Sequence, residues 1–209
     1  MVLDIKTRQI YTFCMITLEK PHVKYKESFL DFIRECQAYQ HIPSTPMNSW
    51  WQSEAKRDIL KLAAHFEDFV NDRLDTQNGS LAKYWENEFI QYWIIRREKP
   101  NDIGEFIGYL DIRPTLTSDF AKNCGGHIGV MVRPSAAGKA YPLMATHEAL
   151  KILKKMGLNK VLLTCNEVNL PSRRIIEGLV KKFGGRFDDV RTMTYKGTTF
   201  NARRYWIER

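Results

Sequence analysis

Cysteine is sparse in this 209-residue chain. Cys14, Cys36, Cys124 and Cys165 lie far apart and make no C-x-x-C pair, and none of the five histidines stands in an H-E-x-x-H motif. That spacing offers no zinc site or disulfide framework, so no metal is expected, and the expected setting is a reducing cytoplasm with small buried thiols. No run approaches the ~18 to 20 consecutive apolar residues that cross a bilayer, and no basic flank precedes an apolar block at the start; neither membrane insertion nor secretion is expected. Repeats, linkers and low-complexity tracts are also missing, which leaves one domain over residues 1–209 as the expectation. What is present is 44% apolar and 12% aromatic, too apolar for disorder and enough for a sizeable core.

Acidic side chains run short toward the end. Residues 1–132 carry 16 basic and 18 acidic groups, a balance of −2, whereas residues 133–209 carry 16 and 6, a balance of +10. The last third should therefore attract an anion. Charge alone does not choose between nucleic acid, an anionic surface and a phosphorylated cosubstrate.

Periodicity supplies the elements. Ile10 to Leu18 reads as a strand. Tyr25, Phe29, Phe32, Ile33 and Cys36 give residues 24–39 a helical stripe, and after a loop with Pro43 and Pro46 a second helix carries Ala55, Ile59, Leu62, Ala63, Phe66 and Val70. Turn residues at 75–80 precede strands at 89–95 and 106–113, and a looser connection leads to a strand at 127–132. A helix containing Ala145, Ala149 and Leu153 stops at Gly157, a strand covers 161–165, Pro171 opens a last helix, and strands near 186–194 and 199–207 finish the chain. Strand–helix–strand over 127–166 implies a local parallel pair, and the earlier hairpins imply antiparallel pairing. The fold class is mixed α/β, a twisted sheet with helices on both faces.

That order, together with Gly129-Val-Met-Val-Arg-Pro-Ser-Ala-Ala-Gly-Lys-Ala-Tyr141, Leu163-Thr-Cys-Asn166, Asn169-Leu-Pro-Ser172 and Arg204-Tyr-Trp-Ile207, resembles the GNAT superfamily of N-acetyltransferases. The resemblance implies a mostly antiparallel sheet of about seven strands whose central parallel pair splays apart, and acetyl-coenzyme A as cosubstrate. It implies that the pantetheine arm pairs with the main chain of Val130, Met131 and Val132, with Asn169 and Ser172 across the opening. The pyrophosphate would sit on Ala137, Gly138, Lys139, Ala140 and Tyr141, where a turn feeding a helix offers unpaired N–H groups and the positive end of the helix dipole. Lys139, Arg173 and Arg174 are candidate phosphate partners. The family motif (Q/R)-x-x-G-x-(G/A) finds Ala137, Ala140 and Pro142 at its defining positions, and all three depart from it.

Acetyl transfer needs a neutral amine, and alkyl amines hold their proton up to a pKa near ~10.4. A base must remove it. His127, entering the fourth strand, is the first candidate and Asp111 on the third is the next. The resemblance puts Ile176 where many members carry a tyrosine that protonates the departing thiolate; Tyr141, Tyr205 or solvent would have to substitute. It also puts the acceptor between residues 40–52, including Trp50 and Trp51, and residues 192–201. The leading expectation is transfer to the amine of a small molecule, amino acid or peptide, with no nucleic acid or membrane partner; a homodimer is left open. The alternatives are a catalytically weak coenzyme A-binding protein of the same fold and a basic nucleic-acid-binding module.

Overall fold

In a computed structural model of the chain, which describes residues 2–4, 9–11, 15–39, 49–195 and 197–208, β1 (Val2–Asp4) and β2 (Gln9–Tyr11) form an antiparallel two-stranded sheet. β3 (Met15–Glu19) leads into a 3-10 turn, Val23–Tyr25, where the His22 ring accepts the Lys24 N–H at 3.0 Å. There α1 (Lys26–Ala38) begins. Its Phe29, Phe32, Ile33 and Cys36 are fully buried, the i, i+3, i+4, i+7 stripe of a helix lying on a sheet.

The second expected helix is three: α2 (Ser49–Ala55), α3 (Ile59–Ala64) and α4 (Phe66–Leu74). Asp58 makes the break, because its carboxylate accepts the N–H groups of Leu60 and Lys61, both at 3.0 Å, and starts a new helix at the capping position. The turn at 75–80 forms as expected, with Asp75 accepting from Gln77 and Asn78. A short α5 (Ser80–Trp85) follows it. The rest matches the order read from sequence: β4 (Ile90–Arg97), β5 (Glu105–Ile112), β6 (Ile128–Val132), α6 (Tyr141–Lys155), β7 (Lys160–Asn166), α7 (Leu170–Phe183), β8 (Gly185–Tyr195) and β9 (Thr198–Glu208). Gly157, just past α6, has the left-handed φ of +88° that ends helices.

Seven strands make two antiparallel sheets, β3-β4-β5-β6 and β7-β9-β8. One face carries α1 to α4, where Phe29 sits 5.2 Å from Trp93 and 4.9 Å from Phe106 between ring centres. The other face buries Ala145, Ala149 and Leu153 of α6 and Leu179 of α7.

A bulge in β5 decides which side chains face which layer. Ile94 pairs with Gly108 but Ile95 pairs with Phe106, so Ile107 is the extra residue and the alternation of β5 reverses there. Phe106 and Tyr109 consequently share the α1 face, and Asp111 and Arg113 follow Tyr109 onto it.

The expected parallel pair is not a ladder. Every strand pairing among the described residues is antiparallel, and β6 meets β7 only where the His127 N–H donates to the Leu162 carbonyl and the Leu162 N–H donates to His127 Nδ1, each at 2.8 Å. Gly126 permits the close approach: its φ is +62°, and a Cβ there would lie 2.7 Å from the Leu162 oxygen. Past this point the two sheets separate along a seam.

Candidate active site

Hydrogen-bond phase fixes what β6 offers the seam. The Arg113 N–H reaches the His127 carbonyl at 2.9 Å and the Arg133 N–H reaches the Ile107 carbonyl at 2.8 Å, bracketing the β5–β6 ladder. By alternation the main-chain groups of Gly129 and Met131 turn to β5, and those of Val130 and Val132 turn to the seam. Of the three main-chain positions expected to meet a ligand, Val130 and Val132 are so oriented and Met131 is directed at Tyr109. The Val132 carbonyl accepts the Trp51 indole N–H at 2.7 Å, a contact from α2 that no sequence pattern announced.

After β6 the chain makes a 3-10 turn, Pro134–Ala136, and the Ala137 N–H closes onto the Pro134 carbonyl at 3.0 Å. Gly138 has a φ of +75° with open space where a Cβ would stand. Ala140 caps α6 with φ −71° and offers no side-chain acceptor, so its dihedrals do not demand glycine. Ala137, Gly138, Lys139 and Ala140 are exposed, and Tyr141 is half-buried. Pro142 supplies no N–H in this first turn, and its carbonyl accepts the Thr146 hydroxyl at 2.7 Å. A cavity of about 80 Å³ lies against the turn, walled by Arg96, Glu105, Arg133, Lys139 and Tyr141. The cup thus keeps its glycine bend, its uncapped helix start and one lysine.

The other rim is the start of α7. Asn169 caps it, its side-chain oxygen accepting the Ser172 N–H at 3.2 Å, which commits both residues to the helix start. Arg173 is paired with Glu177 at 2.8 Å, and Arg174 is exposed. Val168 and Leu170 on this rim and Leu143 and Met144 on the first turn of α6 are exposed apolar side chains.

The two base candidates have different surroundings. His127 is buried at the closed end of the seam with Nδ1 occupied by the Leu162 N–H, which places the ring proton on Nε2; burial pushes its pKa down to about 4. This geometry makes it a neutral clamp between the sheets. Asp111 is buried on β5, accepts the Gln91 amide at 3.1 Å, and is pushed up by burial to about 6 while the nearby Arg113 opposes the rise. Its Oδ2 lies 3.6 Å from where a Cβ of Gly129 would stand, so the missing side chain leaves the carboxyl against the β6 backbone.

Ile176 is buried in the α6–α7 layer, and α7 brings no hydroxyl to that position. Tyr205 donates to Glu177 and accepts from Arg203, each at 3.0 Å. Residues 40–48 and the Trp50 side chain, expected at the acceptor end, lie outside the described residues. In the other expected acceptor segment, Thr192 donates to Asn201 at 2.9 Å across an exposed hairpin. Glu35 and Gln91 went unnoticed in the sequence, because a glutamate on a helix and a glutamine in a strand carry no pattern.

Solved structures share this architecture. Over 92% of each chain the protein is similar to the microcin C7 self-immunity acetyltransferase MccE, solved with acetyl-CoA and AMP (14% identity, TM-score 0.59). It is also similar to RimL, a ribosomal L7/L12 α-N-protein acetyltransferase solved with coenzyme A (13% identity, 92% and 93% coverage, TM-score 0.56), and to a GNAT-family acetyltransferase from Bacillus anthracis (17% identity, 92% and 94% coverage, TM-score 0.53). No curated protein matches in sequence. A family model described as an acetyltransferase (GNAT) domain matches residues 39–179, about two thirds of the chain, and by that match the protein belongs to the GNAT acetyltransferase family.

Proposed function

We propose that this chain is an N-acetyltransferase that moves the acetyl group of acetyl-coenzyme A onto the amine of a small molecule, amino acid or peptide. One observation carries the reading: the unladdered seam, with Val130 and Val132 turned into it, opens beside the uncapped start of α6. An extended amide-bearing arm fits an edge that lacks a partner strand, and a diphosphate fits N–H groups at a helix start.

In this reading Gly138, Lys139 and Ala140 hold the diphosphate, and the Val130 N–H donates to the carbonyl oxygen as negative charge builds on it. Asp111 takes the amine proton, directly or through water. The amine nitrogen bonds to the acetyl carbon, the carbon–sulfur bond breaks, and the thiolate leaves with the electron pair. It needs no dedicated acid, because a thiol pKa near ~8.5 makes it a tolerable leaving group. The buried Ile176 favours a second reading, slow turnover on a competent cosubstrate site.

The test is thermal shift with acetyl-coenzyme A followed by thiol release across a panel of amines. Ligand at a hundred times its Kd should stabilise by about 2.7 kcal/mol. Binding with no thiol release from any amine would support the second reading. Absence of binding, with salt-dependent binding to RNA or DNA, would overturn both.

A further inference from the structure

The cosubstrate cup is tied to the helix that packs on the opposite face of the sheet. Glu35, in the last turns of α1, reaches across to the residues that begin the cup. One carboxylate oxygen accepts the Ser135 main-chain N–H; the other accepts Arg133 Nε at 2.5 Å and the Ser135 hydroxyl at 3.2 Å. Arg133 donates onward to Glu105 at 2.9 Å, and Glu105 is paired with Arg96 at 2.7 Å. Two acids and two bases alternate in one chain of contacts, and the Glu35 and Arg133 side chains are only 16% and 10% exposed.

We infer that Glu35 is a positioning residue for acetyl-coenzyme A: through Arg133 and the Ser135 N–H it holds the turn at 134–136 in the conformation that aims the following N–H groups at the diphosphate. A carboxylate standing alone near that cup would repel a diphosphate. Here Arg133 neutralises it, and its remaining lone pairs fix backbone, so its net action is to pre-organise the cup. The departures at Ala137, Ala140 and Pro142 leave few side-chain or main-chain donors there, which raises the weight carried by the placement of those that remain.

The inference rests on the acetyltransferase reading, and its test separates the two. Acetyl-coenzyme A binding to wild type, Glu35→Gln and Arg133→Lys is measured by calorimetry, with steady-state kinetics on the best amine. Loss of the charged acceptor, or of the forked donor, should raise Kd and KM for acetyl-coenzyme A about tenfold while the amine KM and kcat stay within about twofold. A wild type that binds with both variants equal to it, a variant that binds more tightly, or a uniform loss in all parameters would overturn the positioning role alone. A wild type that does not bind would overturn the acetyltransferase reading and this inference with it. Should Glu35→Gln fail to fold, the Arg133→Lys split decides.

Discussion

His127 and Asp111 shift in opposite directions within nearly the same pH window, and their effects on stability should cancel. His127 falls from an ordinary 6.5 to about 4 on folding, so the unfolded chain binds its proton first. Acidification through that interval therefore removes stability, about 3 kcal/mol at 1.36 kcal/mol per pH unit. Asp111 rises from 3.8 to about 6, so the folded chain binds its proton first. Acidification through that interval adds stability, again about 3 kcal/mol. These two groups together should add almost nothing to the slope of the wild-type profile between about pH 4 and 6.5, and each substitution should unmask the other group. His127→Asn keeps an acceptor for the Leu162 N–H without titrating, and this variant should gain about 3 kcal/mol on going from pH 6.5 to 4. Asp111→Asn should lose about as much. Urea unfolding at half-unit pH steps reads both slopes against wild type, and the double variant should run parallel to wild type. Single-variant profiles parallel to wild type would refute the opposed burial of the two groups.

Three further outcomes follow. If Asp111 takes the proton of the bound ammonium, log kcat/KM for the amine should rise with slope 1 below about pH 6 and level off above it; Asp111→Asn, reacting only with amine already neutral, should keep slope 1 throughout at a rate lower near neutral pH by about 10²–10⁴. A wild-type profile that keeps rising past pH 6 without levelling would remove Asp111 from the chemistry. Ala137→Arg should tighten acetyl-coenzyme A by about tenfold or more in calorimetry, the value of one charge-assisted contact of about 1.5–3 kcal/mol at an exposed position with room for it. Gly108→Ala should destabilise by about 1–3 kcal/mol or more in thermal unfolding, since its Cβ would stand 2.1 Å from the Met131 carbonyl oxygen on the neighbouring strand.

Much of the fold was legible because it rests on local signals. The stripe from Tyr25 to Cys36, the glycine after α6 and the proline in the first turn of α7 each act within one element, and each element formed where it was read. Asp58 shows the limit. The apolar spacing continues across it, but its side chain outbids the helix for two N–H groups, and only the local geometry reveals which partner wins. The seam was legible only through the resemblance. From strand–helix–strand order a parallel ladder is the natural expectation, whereas where the two sheets meet an imidazole stands in for a backbone acceptor at Leu162.

The orientation of the candidate base turns on how a single extra residue is taken up in β5. Had the same residues of β5 run without a bulge, alternation set by Phe106 would put Asp111 on the α6 face, toward Ile128 and Leu150 and away from Gln91. The bulge at Ile107 reverses that phase, and Gly108 beside it lets β6 approach closely enough to keep pairing through the irregularity. Two residues with no chemistry of their own therefore decide whether a carboxylate faces the α1 layer. Removing Ile107 from the chain takes out the extra residue itself: Gly108 would follow Phe106 directly, plain alternation would keep Tyr109 and Asp111 on the α1 face, and the Asp111 carboxyl should stay raised by burial.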